Sequence, residues 1–148
     1  MTIQNKTIVR RLYEEVVGRQ NLALIDELIA PDVLDHNARK QGWASGRDGF
    51  RQHVLYFHGV FTDLDITVDD LVTEGDRVVA FWTLSGTQHG EMWGVAATGR
   101  RIEGSTISIL RLRDSRVIEY ESRPDRLGFL IQLGGFGQYG AQLAAVGS

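Results

Sequence analysis

Residues 61–84 read FTDLDITVDDLVTEGDRVVAFWTL, and within them the hydrophobic period changes. Leu64, Ile66 and Val68 alternate with Asp65, Thr67 and Asp69, the period-2 pattern of a strand with one buried face. Glu74-Gly75-Asp76 then supplies a tight hairpin turn, and Val78–Leu84 reads as the returning strand. Outward toward the C-terminus the same logic gives strands over Ile102–Arg113 and Val117–Ser122, joined by a turn at Asp114-Ser115. Pro124 cannot donate to a ladder and ends the last strand. Leu127–Leu133 reads as a short closing helix that Asp125 caps.

Toward the N-terminus the period is 3.6. Ile8, Val9, Leu12, Tyr13, Val16 and Val17 form a helical stripe over residues 3–17, stopped at Gly18. Asn21 is placed to cap a second helix, Leu22–Ala30, closed by Pro31. Val33–His36 reads as extended and Ala38–Ser45 as a polar loop. A third helix over Arg47–Phe61 carries Phe50, Val54, Phe57 and Phe61 on one stripe. Helices first and strands after predict an α+β fold, a cone built from a strongly curved, mostly antiparallel sheet with three to four N-terminal and closing helices around a central pocket. Residues 1–134 are expected to form a single domain, followed by a glycine-rich tail over 135–148.

Composition removes several classes of function. A net charge of −3 offers no basic excess for a phosphate backbone, so no nucleic-acid partner is expected. With no cysteine among 148 residues, disulfides and thiolate chemistry are excluded. The N-terminus lacks the apolar core of a signal peptide and no apolar run approaches a membrane span, so a cytoplasmic protein is expected. His36, His53, His58 and His89 lack metal-ligand spacing, and no phosphate loop or nucleophile elbow exists, so no metal or other cofactor is expected.

The strand faces point to a small-molecule site. Ala80, Trp82 and Leu84 share the inward face with Gly104, Thr106, Ser108 and Leu110, and with Ile118, Tyr120 and Ser122. A mostly apolar lining with a few convergent polar groups is what a ligand pocket needs, although each hydroxyl could instead bond backbone or water. The outward face carries Phe81, Ile107 and Ile109, which suggests a second subunit and hence a homodimer. Asp35, after two apolar residues, is either a carboxyl with a raised pKa that serves as general acid or base, or the cap of the following turn. His89 and Glu91 read as a rim pair or as a solvated loop.

Four stretches resemble the SnoaL-like polyketide (ester) cyclase family: residues 30–37 (APDVLDHN), 70–80 (DLVTEGDRVVA), 98–104 (TGRRIEG) and 127–134 (LGFLIQLG). That family belongs to the nuclear-transport-factor-2-like superfamily, which also holds ketosteroid isomerase and limonene epoxide hydrolase. The resemblance covers about residues 5–134 and implies a cofactor-free, usually dimeric enzyme of secondary metabolism. The aldol cyclases of the family use an aspartate on the last strand, and its position here is Ser122. Their strand histidine and glutamine correspond to Ser108 and Thr106. Asp35 falls near the base of ketosteroid isomerase, and Tyr13, otherwise a core aromatic, near its oxyanion tyrosine. The limonene epoxide hydrolase set is absent.

The resulting expectation is a cyclase or isomerase for a hydrophobic polyketide-type intermediate. Asp35, Tyr13 and Tyr120 would carry the chemistry. Trp43, Tyr56, Trp82 and Trp93 would form walls, and Thr106, Ser108 and Ser122 would bond substrate oxygens. A carrier of a hydrophobic metabolite and a cofactor-free hydroxylase or hydroxylase partner are the alternatives.

Overall fold

The structure, a computed structural model, describes residues 2–135. The expected tail therefore lies, from residue 136 onward, outside the described residues. Helix α1 (Thr2–Arg11) runs on into a π-helical stretch, Leu12–Gly18, and together they bury Ile8, Val9, Leu12, Tyr13, Val16 and Val17. The expected stripe is therefore the core face, and the helix ends at Gly18.

The second helix is shorter than its pattern. A 3-10 turn, Leu22–Leu24, leads into a single turn of α2 (Ile25–Leu28), and Asn21 makes no side-chain cap bond. Ile29 and Ala30 leave the helix because Ile29–Asp35 forms β1, which pairs in parallel with the last strand. Pro31 sits within β1, where the register is irregular between Ile29 and Leu34, the place a residue without an N–H is tolerated. Residues 38–45 are not all loop either. Helix α3 (His36–Gln41) starts on Asp35, whose carboxylate accepts the Ala38 N–H at 2.9 Å, and ends at Gly42 with φ +72°. Its polar sequence carries no apolar stripe, so periodicity does not reveal it.

Helix α4 (Gly46–Val60) is pinned to β1 by Arg47, which donates to the carbonyls of Ile29 at 2.8 Å and Asp26 at 2.9 Å. It buries Phe50 and Val54. The sheet then follows as β2 (Asp65–Glu74), β3 (Arg77–Thr87), β4 (Arg101–Arg113) and β5 (Arg116–Pro124), in spatial order β1-β5-β4-β3-β2. A register shift between Val68 and Asp70 moves the buried position of β2 to Leu71. A second shift pairs Leu112 with Val117 but Arg111 with Glu119, leaving Ile118 as the extra residue. Val117, expected on the outward face, is consequently buried, and Ile118, expected inward, is only half-buried.

The helices fill the concave side of this curved sheet. At the end of β4 that β5 does not reach, α5 (Arg126–Leu133) takes over. The Gln132 amide accepts the Glu103 N–H at 2.8 Å and donates to the Glu103 carbonyl at 2.6 Å, as a strand neighbour would. The same helix lays Phe129 over Gly104, where any Cβ would clash with the ring edge. Gly104→Ala therefore has to push Phe129 aside. We expect a loss of about 1–3 kcal/mol in urea unfolding, the usual range for overpacking.

Candidate active site

Within the cone lies a cavity of about 600 Å³, open solvent at its mouth included. Helix α4 contributes His53, Tyr56 and Phe57 to one wall. Strands β3 to β5 contribute Trp82, Leu84, Thr106, Tyr120 and Ser122 to the other. Trp43 lines it after α3, Met92 and Trp93 from the β3–β4 loop, and Phe129 from α5. Of the residues expected at a site, Trp43, Tyr56, Trp82, Trp93, Thr106, Tyr120 and Ser122 thus meet on one cavity. Asp35, Tyr13 and Ser108 are buried but do not line it.

The sheet wall ends in a chain of hydrogen bonds. Trp82 Nε1 donates to Ser108 Oγ at 2.9 Å, Ser108 and Ser122 share a bond of 2.6 Å, and Ser122 Oγ donates to the Tyr120 hydroxyl at 2.5 Å. An indole N–H can only donate, so Ser108 must accept from it. With Ser122 donating to Tyr120, the proton of Ser108 goes to Ser122. The Tyr120 O–H is left as the terminal donor of the chain, and Tyr120 stands on the cavity. Tyr13 stacks on Trp82 with centroids 4.8 Å apart. Its hydroxyl is buried beside those of Ser108, Ser122 and Tyr120 but makes no hydrogen bond of ordinary geometry. Burial raises both phenols: Tyr13 well above its usual value, and Tyr120 to about 12, with the charge of Asp35 acting in the same direction against the bond from Ser122. Both remain protonated at neutral pH and available to donate.

Asp35 stands directly opposite Tyr120 in the β1–β5 register. It is only 5% exposed. One carboxylate oxygen caps α3 through Ala38, and the other, Oδ2, is buried with no partner. Burial raises its pKa, opposed by the N–H groups of Ala38 and Asn37 and by His36. The neighbouring Asn37 fastens α3 to the site strand. Its amide donates to the Ser122 carbonyl at 3.1 Å and accepts the Ser122 N–H at 2.6 Å.

The β3–β4 loop is organised by a residue the sequence does not single out. Gln88 is buried, donates to the carbonyls of Gly90 and Val95, and accepts from the backbone and hydroxyl of Thr98. The enclosed turn holds Trp93 at φ +50°, a costly conformation for a bulky side chain. Its ring meets Phe129 edge-on at 5.8 Å and carries the Arg126 guanidinium at 4.4 Å, contacts that help offset the strain. His89 and Glu91, on the same loop, are exposed and not bonded to each other, so no rim pair forms. Asp125 caps α5 by accepting the Gly128 N–H at 3.0 Å.

His53 also lies on the cavity wall. Its position in the sequence carried a signal: it is three residues after Phe50 and four before Phe57, within the apolar stripe of α4.

The buried Asp35 gives a test in pH. A folded-state pKa raised above the ordinary 3.8 means that the folded chain keeps a proton which the unfolded chain releases. Ionised Asp35 therefore costs stability as pH rises through the folded pKa and costs nothing below 3.8. Asp35→Asn retains an oxygen for Ala38 and cannot ionise. In urea titrations its stability relative to wild type is expected to rise from pH 4 to pH 7, and a difference independent of pH would remove this account of the site.

Comparison with known proteins agrees with this geometry. The model of the family described as SnoaL-like polyketide cyclase matches residues 7–133. Nogalonic acid methyl ester cyclase of Streptomyces nogalater is 30% identical over 112 residues, covering 74% of this chain and 83% of the relative. Aklanonic acid methyl ester cyclase DnrD of Streptomyces peucetius is 30% identical over 110 residues, or 73% of this chain and 72% of the relative. Among solved structures, IdmH from Streptomyces antibioticus has a TM-score of 0.75 at 32% identity, covering 88% of this chain and 99% of that chain. TsrD from Streptomyces laurentii has a TM-score of 0.77 at 29% identity, covering 90% of this chain and 95% of that one. With the family model spanning nearly all the described residues and the cone and its cavity in place, this chain belongs to the SnoaL-like polyketide cyclase family.

Proposed function

We propose that this chain closes a ring in a hydrophobic polyketide-type intermediate of antibiotic biosynthesis, without a cofactor. The observation that carries the reading is the aromatic cavity lined by Tyr120, whose hydroxyl ends the hydrogen-bond chain from Trp82. Family membership supplies the reaction class, and the relatives named above act, by their names, on nogalonic and aklanonic acid methyl esters. The walls hold the substrate folded so that its reacting atoms meet. Positioning of this kind is worth up to roughly 7–11 kcal/mol in the best-oriented cases. Tyr120, Ser122 and Thr106 face the bound molecule with hydroxyls, and Tyr120 donates to the oxygen on which charge develops.

The described lining residues include no carboxylate, and the resemblance matches Ser122 to the position where the aldol cyclases carry their aspartate. In this reading the acid/base is Asp35, held behind Tyr120 with Oδ2 free, and Tyr13 supports the same oxyanion from the buried side. Nogalonic acid methyl ester is the first substrate to test. Tyr120→Phe is expected to lower kcat roughly 10²–10³-fold with a smaller change in KM, the usual effect of removing one oxyanion donor. Asp35→Asn is expected to lower kcat by at least about 10²-fold. Near-normal turnover in Asp35→Asn would remove the acid/base role and leave ring closure to shape alone.

The convex face of the sheet supports a homodimer. Phe81, Ile107 and Ile109 are 36%, 43% and 49% exposed there. A shallow recess beside Ile109 brings Arg77 and Arg111 together with Glu119 and Glu121, so one face offers both signs of charge to its own copy. Light scattering is expected to give about 33 kDa, twice the 16.5 kDa chain, and Ile109→Glu is expected to give the monomer.

A further inference from the structure

The cavity wall formed by α4 differs chemically from the wall formed by the sheet. On the sheet side the polar groups are hydroxyls, and the chain beginning at Trp82 leaves Tyr120 as a donor. On the α4 side stands His53. Its ring packs among aromatic neighbours: Phe57 at 4.7 Å, Trp43 at 5.3 Å, Tyr120 at 6.2 Å and Phe50 at 6.4 Å between centroids. The two phenylalanines cannot bond its ring nitrogens, Tyr120 and Trp43 do not, and neither nitrogen is hydrogen-bonded to any described residue. By contrast His36 and His58, the other histidines on helices, are bonded, to Glu119 and to the Val17 carbonyl. His53 is half-buried and its unbonded nitrogens are not sealed in the core, so they are open to a molecule that enters the cavity.

We propose that His53 is a specificity residue: its unprotonated ring nitrogen accepts a hydrogen bond from a phenolic or enolic hydroxyl of the bound molecule, while the sheet wall donates to that molecule's carbonyl oxygens. The inference rests on the cavity being the substrate site, as proposed above, and adds what the site recognises. The remaining polar groups nearby do not compete for this role. The Asn37 amide is committed to the Ser122 backbone, the Trp82 indole to Ser108, and the indoles of Trp43 and Trp93 can only donate.

Two roles are open to a histidine in such a place, proton acceptor or hydrogen-bond acceptor, and its basicity decides between them. Burial lowers the His53 pKa to about 4. The ionisable groups facing it on the cavity, Tyr56 and Tyr120, are themselves raised by burial and carry no charge at neutral pH. A base this weak holds a proton from a carbon acid or phenol poorly. The same burial keeps its lone pair free of a competing proton throughout the neutral range. His53 thus orients and selects without itself taking the proton.

The test compares 2-naphthol with its methyl ether, 2-methoxynaphthalene, which keeps the apolar rings and removes the donated hydrogen. Binding is followed through tryptophan fluorescence, and the His53 imidazole nitrogens through ¹⁵N NMR. Wild type is expected to prefer the naphthol by about tenfold, the effect of one neutral hydrogen bond, with a shift confined to one His53 nitrogen. His53→Phe is expected to bind both compounds equally. His53→Gln, which keeps an acceptor, is expected to recover part of the preference and guards against a folding defect in the phenylalanine variant. Equal binding of the two compounds by wild type, failure of either to bind, or a preference that survives in His53→Phe would overturn the proposal. Failure of the cyclase reading is separately visible as no turnover of nogalonic acid methyl ester, whatever these binding ratios are.

Discussion

The parallel pairing of Ile29–Asp35 with the last strand is the contact on which the site depends. It adds a fifth strand to the sheet, beyond the antiparallel run from β2 to β5. It sets Asp35 against Tyr120 and so determines where α3 begins. From that start Asn37 reaches Ser122 and closes two bonds on its backbone, fixing the strand that carries Ser122 and Tyr120. The β1 backbone also receives Arg47 from α4, which aims the aromatic wall of the cavity at the sheet. One short strand thus sets the spacing of both walls.

Across the cavity the chemistry is divided. The walls are mostly aromatic, and an apolar lining strengthens any hydrogen bond made inside. Burial keeps the cavity phenols Tyr56 and Tyr120 protonated and the His53 imidazole unprotonated, so the cavity holds donors and an acceptor that are all neutral near pH 7. The one buried carboxylate among the described residues, Asp35, stands off the wall. Such an arrangement suits a reaction limited by the conformation of a flexible substrate more than one limited by a strong base. The left-handed Trp93 is part of the same economy: its strain is held by Gln88 below and by Arg126 and Phe129 above, and it places a large ring on the wall from a loop.

Ser122, the position that the resemblance matches to the aldol cyclases' aspartate, completes a chain of hydroxyls. A carboxylate there would bring a charge into the hydroxyl chain. Serine instead both accepts from Ser108 and donates to Tyr120, so the chain runs unbroken from Trp82 to the cavity.

Much of this was legible without coordinates. The period change in residues 61–84 places the hairpin, the i, i+3, i+4 stripes place α1 and α4, and the alternation in β3 and β4 brings Trp82, Thr106 and Ser108 to the concave face, because these patterns record which side of a local element faces the core. Tertiary structure decided what no local pattern holds. A parallel pairing between residues 85 to 88 positions apart pulled Ile29 and Ala30 out of a helix, because strand pairing outweighed the local helical preference. A bulge turned Val117 inward, because one extra residue inverts the alternation. The polar helix α3 exists because Asp35 caps it and β5 receives it. His53 lay in plain sight on an apolar stripe, but whether a histidine there meets the core or a cavity depends on what stands opposite, and only the closed cone supplies that.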